Sequence, residues 1–130
     1  MPNSVTRTDG QTTIQVDQGS YFEHTFVITE NDNPFDLDLY SARMQIRRSY
    51  GNTSTIYSAT TANGKLVKVS PSLGQLKVVF APEDFVSTQF ADREDDTLEG
   101  VFDLEIEELS TGKVYKIAAG SVTIYREVTR

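Results

Sequence analysis

Apolar and polar residues alternate with a period of two along most of this chain, and that period predicts strands. In SYFEHTFVIT, Phe22, His24, Phe26 and Ile28 share one face while Tyr21, Glu23, Thr25 and Thr29 share the other, the pattern of a half-buried strand. SARMQIRRS continues it: Ala42, Met44 and Ile46 alternate with Arg43, Gln45 and Arg47, which predicts a strand with a basic outer face. Downstream, GKLVKVS and GQLKVVF are two short strands separated by SPSLG, whose proline and glycine favour a turn, so the pair reads as a hairpin. In APEDFVSTQF, Pro82 suits the first helical position, with Glu83 and Asp84 in the first turn and Phe85 and Phe90 inward. One or two helical turns are expected there. The clearest strand is LEGVFDLEIEE, which sets Phe102, Leu104 and Ile106 against Val101, Asp103, Glu105 and Glu107.

The turn LSTGK, with glycine suited to a positive φ, leads into the last run, KVYKIAAGSVTIYREV. Tyr115 and Ile117 have odd parity, whereas Val122 and Ile124 have even parity. One residue must be absorbed between them, and Ala118-Ala119-Gly120 is the expected place, as a β-bulge or a crossing between sheets. Turn signals every ten residues or so, about seven short strands and one short helical turn predict an all-β fold, an immunoglobulin-like β-sandwich. A small barrel is the alternative. The polar MPNSVTRTDG predicts a flexible N-terminal arm over residues 1–10, leaving 11–130 as the sandwich domain.

Composition narrows the classes of function. The 130 residues suffice for one domain that folds by packing. With no cysteine, disulfides, thiolate metal sites and a cysteine nucleophile are all excluded. Lys and Arg number 12 against 19 Asp and Glu, a net charge of −7, so neither nucleic acid nor an anionic membrane is an expected partner. No stretch resembles a signal peptide or approaches the roughly 20 apolar residues that span a bilayer, which predicts a soluble protein made without export. Asn52-Thr53-Ser54 then reads as a polar turn rather than a glycosylation site.

Candidate chemistry is sparse. His24 is the only histidine, and it lies among inward-facing apolar residues, where a core or rim histidine explains it better than catalysis does. Asp36 with Asp38, and the acidic run Asp92 to Asp96, offer hard oxygens that suit a divalent cation, but neither has EF-hand spacing. A solvated surface is the simpler reading of both. Glu105, Glu107 and Glu108 alternate with apolar residues and read as a solvated strand face. No phosphate-loop, dinucleotide, nucleophile-elbow or zincin motif occurs, so the expectation is a non-enzymatic protein with no catalytic residue, no metal and no cofactor. Arg43, Arg47, Arg48 and Tyr50 belong to the residue types that anchor protein interfaces. Pro34, Phe35, Leu37 and Tyr40 read as a structural corner: the proline extends Asn33, the apolar pair tucks under the sandwich edge, and the tyrosine packs its ring while its hydroxyl reaches backbone.

The order GSYFEHTFVITENDN, PFDLDLYSARMQIRRS, GQLKVVFAPEDF, LEGVFDLEIEELSTGKVYKIAAGSVTIYREVTR resembles small virion structural proteins of tailed phages and the N-terminal domain of phage upper baseplate proteins. The corner Phe35, Asp36, Leu37 and Tyr40 and the closing Val128-Thr129-Arg130 carry the likeness, which runs from about Gln11 to the last residue; Leu39 stands where those proteins often have glycine. The resemblance implies a structural component of a virion, made in the host cytoplasm and set in the tail, baseplate or neck, that contacts other virion proteins and is multi-copy or homo-oligomeric. A capsid-decorating or carbohydrate-binding β-sandwich is the alternative.

Overall fold

The computed structural model describes residues 4–8, 11–30, 32–85 and 96–126. Its elements are β1 (Ser4–Thr8), β2 (Gln11–Asp17), β3 (Phe22–Val27), β4 (Thr29–Glu30), β5 (Asn33–Pro34), β6 (Tyr40–Arg47), β7 (Tyr57–Thr60), β8 (Leu66–Ser70), a 3-10 turn at Pro71–Leu73, β9 (Gln75–Phe80), β10 (Thr97–Glu108) and β11 (Val114–Tyr125). The fold is all-β. A six-stranded sheet ordered β1-β2-β11-β10-β6-β7 packs against a three-stranded sheet ordered β3-β9-β8, and β4 with β5 makes a small ribbon. Every pairing is antiparallel except β2 with β11, which is parallel.

Period two explains which residues meet between the sheets. Ile14 and Val16 of β2, Met44 and Ile46 of β6, Phe102 and Leu104 of β10, and Val122 and Ile124 of β11 are buried from one side; Phe26, Leu76, Val78 and Phe80 are buried from the other. Burying each such side chain contributes about 1.5–3 kcal/mol. Phe80 organises an aromatic cluster, stacked on Phe22 at 5.9 Å and tilted against Tyr57 at 4.9 Å and Phe85 at 5.7 Å. Among the described residues the two sheets share no strand pairing and do not close into a barrel.

Several expectations change in detail. Eleven strands occur among the described residues rather than about seven, because β1, β2, β7 and the two-residue pieces β4 and β5 add to the six read from long alternating runs. Ser4–Thr8, expected within a flexible arm, pairs antiparallel along Gln11 to Gln15. Over residues 82–85, the described part of the helical segment expected after Pro82, the chain makes a hydrogen-bonded turn: Asp84 N–H donates to Ala81 O at 3.0 Å, and the Asp84 carboxylate accepts from Ala81 N–H at 2.7 Å. The carboxylate closes this loop on itself, and the helical residues among those described are Pro71–Leu73 of SPSLG instead. Phe90, most of the acidic run (92–95) and the closing tripeptide 128–130 lie outside the described residues.

The parity change in β11 is a bulge, displaced slightly from Ala118-Ala119-Gly120. Leu104 opposes Ala118 and Glu105 opposes Lys116, which leaves Ile117 as the extra residue. Gly120 has a different duty. A Cβ there would lie 1.7 Å from the Thr12 carbonyl oxygen, so the glycine permits the close approach of β2.

Candidate functional site

The connection from β5 to β6 is held at several points. Asn33–Pro34 is extended in β5, following a tight turn in which Asp32 adopts φ 65°. Leu37 is buried, and its N–H donates to Pro71 O at 2.9 Å. Phe35 packs its ring against Tyr40 with centroids 5.2 Å apart. Lys68 Nζ donates to Tyr40 O at 3.0 Å and reaches Leu37 O at 3.4 Å, which ties the segment to the opposite sheet. The Tyr40 hydroxyl donates to Glu108 Oε2 at 3.3 Å, a carboxylate rather than the expected backbone group. Burial raises the pKa of that hydroxyl, and the charge of Glu108 adds to the effect. Asp38 N–H donates to Asp36 Oδ1 at 2.9 Å, so Asp36 is engaged in its own turn.

The outer face of β6 is not basic as a surface, because β10 supplies matching carboxylates. Arg43 opposes Glu105 in the register and donates to its Oε1 at 2.9 Å, with Glu107 at 3.9 Å. The Glu105 carboxylate raises the Arg43 pKa. Arg47 donates to Asn52 O at 2.9 Å and to Gln45 Oε1 at 2.8 Å, bracing the loop after β6. Lys116 lies 3.8 Å from Asp103 and 5.6 Å from the centroid of the exposed Tyr50 ring. Gln45, Arg47, Tyr50, Asp103 and Glu105 line a shallow depression of about 240 Å³. Arg43, Arg47 and Tyr50 are thus on one side of the molecule; Arg48 follows β6 and is exposed.

His24 faces the sheet interior at the rim, edge-on to Phe26 with centroids 4.8 Å apart. Burial lowers its pKa from the ordinary 6.5. Alternation alone missed a buried cluster. Lys65 Nζ lies 2.6 Å from Asp84 Oδ1 and 5.6 Å from the Tyr57 ring centroid, while the Tyr57 hydroxyl donates to Val79 O. Burial pushes the Tyr57 pKa well up, and the Asp84 charge adds to it. Tyr57 joins the two sheets through Val79, while Asp84 fastens the loop after β9 to Lys65, just before β8. Among the described residues no group of three His, Asp or Glu side chains is placed to hold a metal ion.

One further feature was not legible in the alternation. Beside β3 the sheets part in a cleft of about 540 Å³, walled by Thr12, His24, Phe26, Ile28, Leu104, Ile117 and Ala118. A second cavity of about 240 Å³ shares Ile28, Thr29 and Ile117 with that lining and is bounded also by Glu30, Tyr40 and Tyr115. The bulge at Ile117 borders both cavities.

No protein-family model matches this sequence, and none of the curated proteins compared with it matches significantly.

Proposed function

We propose that this chain is a non-enzymatic structural component of a tailed-phage virion, set in the tail, baseplate or neck, where it acts as a protein–protein assembly module in several copies. Other virion proteins are its partners. The motif order around the Phe35 to Tyr40 corner supports the class. The observation that carries an assembly role is the outer sheet face, where Tyr50 and Arg43 are presented on a lattice of cross-strand ion pairs. Aromatic and arginine side chains that are already oriented lose little freedom on docking, which is why they dominate interface energetics.

The fold within this reading is an immunoglobulin-like sandwich. The order β3-β9-β8 corresponds to the B-E-D strands of that architecture, and β11-β10-β6-β7 to G-F-C-C′. Alanine variants at Arg43, Arg47 and Arg48 test the role. Incorporation into particles should fall while the purified domains remain folded; unchanged incorporation of all three removes this face from the account.

A capsid-decorating or carbohydrate-binding role is the second reading, favoured by Tyr50 beside Gln45, Asp103 and Glu105 in the shallow depression. Binding on a glycan array that is lost in Tyr50→Ala supports it. An array without hits disposes of the sugar version.

A further inference from the structure

The three-stranded sheet is narrower than its partner, and the main-chain groups along β3 show what is missing. Ile28 N–H donates to Gly74 O at 2.8 Å, and Val79 N–H donates to Lys65 O at 2.9 Å. Carried along the β3–β9 and β8–β9 registers, both bonds give the same alternation: Phe22, His24 and Phe26 turn their main-chain groups to β9, while Glu23, Thr25 and Val27 turn theirs away. β3 ends its sheet, so among the described residues no strand receives those groups. An immunoglobulin-like sandwich of constant type has a strand A at this position. Here β1 and β2 are both spent on the other sheet.

The other sheet edges with described side chains are blunted. β8 is irregular between Lys68 and Ser70, and β7 has only four residues. β3 has neither device: it is six residues of regular pairing without lysine or proline. Glu23 does not guard the edge, since its carboxylate is held by Lys77 at 3.3 Å and by Tyr21 at 2.6 Å. Beside the edge lies the cleft lined by Leu104, Ile117 and Ala118, with no carboxylate in its lining; Glu30 lines the neighbouring cavity that shares Ile28, Thr29 and Ile117 with it.

We propose that β3 accepts an extended segment of a partner protein as an added strand, with alternate apolar side chains filling the cleft and a basic residue against Glu30. The row of donors and acceptors that meets no strand among the described residues specifies extended backbone, the apolar floor specifies alternation, and Glu30 beside the cleft together with the net charge of −7 specifies a cation. This identifies the kind of partner contact and rests on the assembly reading only for where the partner is found.

The test uses the whole chain and synthetic peptides, so it needs no particle. The probes are an eight-residue peptide of alternating valine and threonine with two lysines at one terminus, its isomer with the lysines at the other terminus, and a control with serine for valine. Amide exchange and methyl shifts are followed by NMR. One alternating isomer should bind about tenfold or more tighter than the control, protect the Thr25 and Val27 amides, and shift the Ile117 and Ala118 methyl signals. Thr25→Pro removes an outward N–H that an edge strand tolerates losing, and should weaken binding about tenfold while leaving the fold intact. Equal binding of control and alternating peptides, protection absent at Thr25 and Val27, or full binding by Thr25→Pro overturns the proposal. Should that variant not fold, the wild-type protection map decides alone. Failure here with normal particle incorporation leaves the assembly reading standing and moves its contact elsewhere.

Discussion

The Lys65–Asp84 pair makes a graded prediction about how the loop after β9 is fastened. The Asp84 side chain is 8% exposed and the Lys65 side chain 35%. One carboxylate oxygen takes the lysine and the other takes Ala81 N–H. Asp84→Ala loses a charge-assisted hydrogen bond, about 2 kcal/mol, and an ion pair that solvent screens to about 1 kcal/mol. The sum is about 3 kcal/mol, which lowers the melting temperature of a domain this size by about 10 °C. Asp84→Asn keeps an oxygen for Ala81 and should lose only the ion pair, about 1 kcal/mol. Lys65→Met should cost a similar ~1 kcal/mol, and the Lys65→Met/Asp84→Asn double variant less than the sum of the two. Urea unfolding of the four variants, read from the midpoints at constant slope, measures the series. An Asn variant as damaging as the Ala variant, or a Lys65 variant costing as much as Asp84→Ala, refutes the division of labour between the two oxygens.

Gly120→Ala drives a methyl group into the Thr12 carbonyl and should cost about 3 kcal/mol or more, with loss of the β2–β11 pairing visible in the amide spectrum; a near-neutral variant contradicts the close approach. Burial holds the His24 pKa below 6.5, so the unfolded chain takes up its proton first as pH falls. The stability this group confers is therefore complete above the unfolded value and is lost as pH drops through it towards the folded one. NMR titration should place its midpoint below 6.5, and His24→Phe should flatten this part of the stability profile; a midpoint at or above 6.5 contradicts the burial. Arg43→Ala removes an exposed ion pair and should change stability by only about 0.5 kcal/mol in denaturant melts, however strongly it affects assembly.

Strand positions were legible where alternation ran long enough to fix a face. β3, β6, β9 and β10 follow the inward sets headed by Phe26, Met44, Val78 and Leu104, because a slip of one residue would expose all of them. β2 and β7 rest on two apolar residues each, Ile14 with Val16 and Tyr57 with Ala59, too few to separate from loop by period alone. The parity change in β11 required one extra residue but did not place it: small residues suggested 118–120, whereas the contact at Thr12 had already claimed Gly120. The basic face expected on β6 failed for a related reason. A strand's own sequence gives the charge it presents, but not the charge of the strand beside it, and β10 brings Glu105 and Glu107 to Arg43. The cleft beside β3 is a property of two sheets of unequal width, which no local pattern records.

An outer face of oriented arginine and tyrosine and an open strand edge are both features that gain from a second protein. Among the described residues they lie on different sheets, the first on the solvent side of β6 and β10 and the second along β3, and the proposed contacts would therefore not compete for one surface. That arrangement suits a repeated part of a larger particle.

Immunogold electron microscopy tests the proposed membership of a virion. Antibody raised against the purified domain is applied to intact and disrupted particles of the tailed phage proposed to carry it. Label at the tail tip, tail shaft or collar is the expected result. Label over the capsid would instead favour decoration, and absence of label from both intact and disrupted particles would contradict the virion assignment outright.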